Sequence, residues 1–264
     1  MNSNSMLMQT IDASIQKKLD LFDHFKLRYI FRAIMACMFL ALGTAVAFAI
    51  AIKGEEIAPG LGKILYSFMF SWALVMIVYM NAELGTSNMM YLTVGVYQKR
   101  LKVIKALKIL GLCIFFNLVG GVLVGFLLAQ TGAFQGLPAD SYLFESIAGK
   151  LDKGTVQIVI EGVFANIVVN TAVLISMRMK DDAGKVITIV FVIFIFAFLG
   201  YEHVIANFPA FSLAYFASGG MEAFTVSAVT HNLFFALIGN YIGGGLVMGL
   251  GYAWANNAAT SYLD

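Results

Sequence analysis

The sequence predicts an all-α membrane protein: six transmembrane helices arranged as two inverted three-helix repeats, with the second and fifth helices broken. Three observations carry this. Of the 264 residues, 60% are apolar and 12% charged, with a mean hydropathy of +0.85; a water-soluble domain carries roughly twice that charged fraction. The apolar residues fall in runs approaching or exceeding the about 20 residues that cross a bilayer. The chain also repeats itself, with an interruption at corresponding places in the two copies.

Residues 1–28 are polar, with apolar positions at Leu7, Ile11, Ile15, Leu19 and Phe22. That spacing predicts an amphipathic cytoplasmic helix lying on the membrane surface. With no early apolar core and no small-residue cleavage site, the segment does not read as a signal peptide. The membrane region is 29–254, with spans at 29–52, 64–80, 109–129, 156–177, 186–200 and 231–254. Two pieces too short to cross, 87–97 and 209–218, trail the second and fifth spans. Residues 255–264 form a short tail on the cytoplasmic side. Of the 17 Lys and Arg, all but Lys53, Lys63, Lys150 and Lys153 fall on the side that holds both termini, so both termini are expected in the cytoplasm.

The repeats run over about 29–130 and 150–254. The third span reads Asn117-Leu-Val-Gly120-Gly121 and the sixth Asn240-Tyr-Ile-Gly243-Gly244. The second is interrupted at Asn81-Ala-Glu83-Leu-Gly85-Thr86 and the fifth at Gly200-Tyr-Glu202-His203-Val-Ile-Ala-Asn207. An odd number of spans per copy inverts the second copy in the membrane. A break at membrane depth frees backbone N–H and C=O groups, which only protein or a water-filled cavity can satisfy. Half-helix N-termini also favour an anion. Pro209 fits the first turn of the half-helix after the fifth break.

Among the polar residues, His203 lies deep in the fifth span beside Glu202 and near Asn207. Intramembrane ionisable groups are costly, which favours a donor in the permeation path over a packed neutral imidazole. Glu202 and Glu83 occupy equivalent places and read as caps of exposed amides or partners of a basic group. Thr86 either caps a helix or faces the lumen, and Lys150 reads as a surface lysine. The glycines of the third and sixth spans read as close helix packing. Cys37 and Cys113 sit inside apolar runs as small packing residues, which excludes a disulfide framework. A net charge of +2 gives no argument for nucleic acid. No metal-ligand cluster, Walker motif or nucleophile elbow is present, so neither a cofactor nor enzyme chemistry is expected.

At the breaks the sequence resembles the formate/nitrite transporter family. The segments that carry this are Ala82-Glu83-Leu84-Gly85-Thr86-Ser87, Gly200-Tyr201-Glu202-His203-Val204-Ile205-Ala206-Asn207 and Gly239-Asn240-Tyr241-Ile242-Gly243-Gly244. The likeness extends from about Lys26 to Tyr252. It implies a homopentamer of aquaporin-like protomers in a bacterial cytoplasmic membrane, each with a pore for a small inorganic or carboxylate anion such as formate, nitrite or hydrosulfide. It further implies pore or substrate roles for His203, Thr86, Lys150, Glu202 and Asn207. Phe70, Leu84 and Phe196 would form an outer apolar constriction, and Leu74, Asn166 and Val169 an inner one. Gly85 and Ala165 depart from the family's usual Phe and Cys at those places, and the departures look similar to its hydrosulfide-channel branch. An aquaporin-type channel for water or neutral solutes shares the six spans but requires an Asn-Pro-Ala signature, which is absent. A non-transporting structural or sensor protein leaves the paired breaks unexplained.

Overall fold

The computed structural model describes residues 6–256, and within them the chain is helical with no strand. The first five residues and most of the expected C-terminal tail lie outside that range. In chain order the helices are α1 (Met6–His24), α2 (Lys26–Ile57), α3 (Leu61–Phe70), α4 (Trp72–Tyr79), α5 (Gly85–Tyr97), α6 (Val103–Ala129), α7 (Tyr142–Leu151), α8 (Thr155–Arg178), α9 (Asp182–Phe198), α10 (Val204–Ser218), α11 (Val226–Asn240), a π-helical stretch (Tyr241–Leu250) and α12 (Gly251–Ala255).

Among the described residues, five helical stretches are long and apolar enough to cross a membrane: α2, α3 with α4, α6, α8, and α11 through α12. The fifth span expected from the sequence falls in α9, whose 17 residues cover about 25 Å of a roughly 30 Å hydrocarbon layer. Each break is followed by a half-helix, α5 or α10. These begin at Gly85 and Val204, two and five residues earlier than the short pieces read from the sequence. Large apolar side chains such as Phe115, Leu123, Phe164, Phe191 and Phe234 remain about half exposed or more on the outside of the bundle, as a lipid or subunit contact requires.

Two expectations change. The helix α1 does not present its apolar face to lipid. Leu7, Met8, Ile11, Ile15 and Leu19 are all at most 8% exposed, packed in one cluster with Met90, Tyr91, Val94, Leu174 and Met248. An amphipathic period shows that one face is buried but not what buries it. Pro209 lies inside α10 rather than in its first turn. Its missing N–H leaves the Ile205 carbonyl without its helical donor, and the Cys37 thiol donates to that oxygen at 3.6 Å.

The inverted repeat is written into the packing. Gly120 of α6 presses on the Ile34 carbonyl of α2, and Gly243 presses on the Val163 carbonyl of α8. A Cβ at Gly120 would stand 2.7 Å from that oxygen, and at Gly243 it would also collide with backbone. Overpacking costs typically 1–3 kcal/mol, and a rigid carbonyl gives less than a side chain. Gly243→Ala is therefore expected to lower the thermal unfolding temperature in detergent markedly, whereas Gly149→Ala, with nothing within 4 Å, should leave it unchanged.

Candidate functional site

The two breaks are built alike. Each turns through one left-handed residue, Asn81 (φ 50°) in the first and Gly200 (φ 69°) in the second, residue types that tolerate this conformation. The buried glutamate follows two positions on in both, and then an extended residue caps the half-helix: Leu84 for α5 and His203 for α10. Leu84 and His203 are thus equivalent positions, and they border the same central gap. Matching contacts extend outward. Asn88 Nδ2 donates to Glu83 Oε2 at 3.0 Å, and Asn207 Nδ2 donates to Glu202 Oε2 at 2.7 Å.

His203 is 3% exposed. Its Nδ1 accepts the Ala206 backbone N–H at 3.1 Å, capping α10. With Nδ1 committed as an acceptor, the hydrogen-bond network assigns the proton of a neutral ring to Nε2. That nitrogen lies 2.7 Å from Thr86 Oγ1, so Nε2–H donates and the hydroxyl accepts. The edge of the ring packs against Phe196, centroids 5.7 Å apart at 74°. The gap beside it holds about 20 Å³ and is lined by Leu40, Phe70, Ala73, Leu74, Leu84, Val169, Ile193, Phe196 and His203, room for about one water molecule. Its walls are apolar except for the imidazole.

A larger cavity opens on each side. The outer one, about 320 Å³, is lined by Lys63, Lys150, Lys153, Tyr66, Phe70, Phe196 and Asn207 among others. The inner one, named from the charge distribution, is about 390 Å³ and includes Lys17, Lys18, Lys185, Asn81, Glu83, Leu74 and Leu84. In each vestibule the buried glutamate of a break holds at least one of the lysines. Glu202 Oε1 accepts from Lys150 Nζ at 3.0 Å and Lys153 Nζ at 2.7 Å, while Lys153 also reaches the Gly200 carbonyl at 2.9 Å and Glu161. On the inner side, Lys18 Nζ of α1 donates to Glu83 Oε2 at 2.7 Å and lies 4.8 Å from the centre of the Tyr91 ring. Burial pushes the Lys150 ammonium below the usual lysine range, with Glu202 opposing the fall and Lys153 adding to it. Burial acts the same way on Lys153, but Glu202 and Glu161 outweigh it and hold that charge above the usual range. Rising pH therefore strips Lys150 before Lys153.

The structure gathers most of the residues singled out in the sequence. Phe70, Phe196 and His203 border the gap, with Phe70 and Phe196 facing the outer vestibule. Leu74 and Leu84 border the gap and the inner vestibule, so Leu84 stands on the inner side rather than with the outer pair. Val169 borders the gap alone. Thr86 and Glu202 are fully buried behind it, and Asn207 ties Glu202 to Asn232. Asn166 does not line the gap; its Nδ2 donates to the Asn240 carbonyl at 2.7 Å and the Thr86 carbonyl at 3.2 Å. A Cβ at Gly85 would meet Ile114 and Asn117 at 2.9 and 3.1 Å, so neighbouring side chains already fill that space. Sequence reasoning missed Lys153, Lys18, Asn117 and Asn240 as site residues. The repeated Asn-x-x-Gly-Gly pattern was the signal for the last two. Among the described residues, no group of three or more His, Cys, Asp or Glu is placed to hold a metal ion.

A narrow apolar gap joining two lysine-lined vestibules through a helical membrane bundle defines a membrane transport protein, with the positive mouths and half-helix N-termini suited to anions. The sequence model of the family described as "Formate/nitrite transporter" matches residues 5–254. The chain is 31% identical to the formate-nitrite transporter of Plasmodium falciparum over 235 residues, 83% of this chain and 74% of that protein. It is also 31% identical to the nitrite transporter NirC of Escherichia coli over 226 residues, 85% and 82% of the two chains. Among solved structures, one described as an FNT family ion channel superposes with a TM-score of 0.87 at 26% identity, over 94% of this chain and 98% of that one. A pentameric formate channel with formate bound shares the fold, with a TM-score of 0.70 at 22% identity, over 86% and 95% of the two chains. The chain belongs to the formate/nitrite transporter family.

Proposed function

We propose that this protein is a homopentameric channel for small monovalent weak-acid anions, formate, nitrite or hydrosulfide, with both termini cytoplasmic and α9 as the fifth of six crossings, and that it resides in a bacterial cytoplasmic membrane. The single observation that carries the pore assignment is His203 Nε2, the one polar group on an otherwise apolar gap between two cationic vestibules. Lys150, Lys153 and Lys63 on one side and Lys17, Lys18 and Lys185 on the other concentrate the anion. At the gap it sheds water and takes the Nε2–H hydrogen bond in place of Thr86 Oγ1. A second proton on the ring would occupy Nδ1 and break the Ala206 bond that caps α10. His203 therefore acts as a hydrogen-bond donor in the neutral state. Proteoliposome flux of formate, nitrite, hydrosulfide, chloride and glycerol tests the reading. Saturable movement of the weak-acid anions with little glycerol is expected, and glycerol or water as the main permeant would overturn it. The pentamer is checked by native mass spectrometry, and a stable monomer or trimer in mild detergent would refute it.

The rings of Phe70 and Phe196 meet at a tilt of 42° with centroids 5.8 Å apart and close the outer end of the gap. Phe196→Ala removes the bulk that excludes larger permeants. Formate flux is expected to rise and discrimination against acetate and lactate to weaken. An unchanged selectivity series would place Phe196 outside the path.

A further inference from the structure

Asn240 and Asn117 make the same bonds at the two breaks. Asn240 Oδ1 accepts the Val204 N–H at 2.8 Å, while Nδ2 donates to the Glu202 carbonyl at 2.8 Å and to Gly162 of α8 at 2.8 Å. Asn117 Oδ1 accepts the Gly85 N–H at 2.9 Å, while Nδ2 donates to the Glu83 carbonyl at 3.0 Å and to Ala33 of α2 at 2.7 Å. Each side chain therefore grips the peptide groups on both sides of one residue and ties them to the first span of its own repeat. For Asn117 the gripped residue is Leu84, which has no hydrogen-bonding side chain. For Asn240 it is His203.

The second break carries one further link. The carbonyl of Asn240 itself accepts Asn166 Nδ2, and the same amide nitrogen reaches the Thr86 carbonyl. All three asparagines are fully buried. Asn240 and Asn166 thus connect the backbone of His203 to the backbone of Thr86, the two residues whose side chains meet at 2.7 Å. The imidazole has a further constraint, because its Nδ1 must reach Ala206 N–H in the turn that Asn240 caps. Any swing of residues 202–204 misaligns both ring nitrogens together.

We propose that Asn240 is a positioning residue for transport: through its grip on both peptides of His203, and through Asn166 to Thr86, it fixes the tautomer and aim of the imidazole. This rests on the assignment of His203 as the pore's hydrogen-bond donor. A purely structural role makes Asn240 and Asn117 interchangeable, since their bonds match; a positioning role does not.

The test compares full-length Asn240→Ala and Asn117→Ala, with the histidine nitrogens followed by NMR on nitrogen-15 histidine-labelled protein. The His203 signals are those missing from His203→Phe. Wild type and Asn117→Ala are expected to show one tautomer with the proton on Nε2. Asn240→Ala is expected to show a mixture, with formate and nitrite flux lowered about tenfold or more while the oligomer elutes normally. If Asn240→Ala does not fold, Asn240→Gln, with the same groups on a longer stem, takes its place under the same expectations. Disturbed tautomers with wild-type flux, intact tautomers with lost flux, or equal disturbance from Asn117→Ala each overturn the proposal. Should the wild-type protein carry none of the anions, the proposed function fails, and the tautomer comparison of the two variants alone decides the positioning role.

Discussion

Proteoliposomes containing His203→Phe are expected to show no weak-acid anion flux above the background of empty liposomes. Phenylalanine fills the imidazole's volume but deletes the only polar group on the gap, so the anion crosses apolar walls with no donor. An ion left unpaired in such surroundings costs several kcal/mol. A deficit of only about 3 kcal/mol is already more than a hundredfold in rate. The substitution also removes the acceptor of the Ala206 N–H, a cap worth about 1 kcal/mol, which is too little to unfold the bundle. His203→Asn separates the two ways the ring could work: it keeps a donor and a cap acceptor but cannot titrate. Substantial flux in His203→Asn supports hydrogen bonding, and its complete loss would point to proton transfer by the ring. Wild-type flux in His203→Phe would remove the histidine from the mechanism.

The second large effect is on stability. Glu202 has a side chain with no exposure, held by Lys150 and Lys153, which are 22% and 15% exposed. Removing both lysines leaves a carboxylate buried without a counter-charge, which costs about 3–5 kcal/mol. Lys150→Ala/Lys153→Ala is therefore expected to melt well below the wild type in detergent. Adding Glu202→Gln to that double variant removes the stranded charge and keeps an acceptor for Asn207 and Asn232, so most of the loss should return. Anion flux should stay low in both, because the outer vestibule has lost its positive lining. Equal melting of the double and triple variants would show that Glu202 is not paired in the way the distances indicate.

Hydropathy and local motifs were enough to read an apolar, all-helical membrane chain with interruptions before α5 and α10, because each is a property of residues close together in the chain. His203 was legible for a similar reason: an ionisable side chain in an apolar run is conspicuous by itself. The partners were not. Lys18 meets Glu83 across 65 positions, and Lys153 meets Glu202 across 49. No period in the sequence encodes such a meeting. Lysines near a membrane surface all look alike until folding shows which one bends inward. Asn166 illustrates a second limit. The resemblance placed it at a constriction, but a helix residue contributes to a pore only through the side of the helix it occupies. Asn166 faces the neighbouring helices and spends its amide on two carbonyls. That the apolar face of α1 packs on protein was not legible, because apolar periodicity is silent about whether lipid or protein receives the face.

The equivalence of Leu84 and His203 has a consequence for electrical behaviour. The two halves supply the same backbone turn, yet only one supplies a dipole, so the attractive point of the pathway is displaced from the pseudo-two-fold axis. On the proposed path, an anion driven inward would meet the donor on leaving the aromatic pair, whereas one driven outward would first pass Leu74 and Leu84. Barriers of unequal height on the two sides make the current depend on voltage asymmetrically. They cannot bias the resting balance, since forward and backward rates through a fixed profile are tied by detailed balance. A curved current–voltage relation with a reversal potential set solely by the gradients is the signature of such a lopsided, passive path.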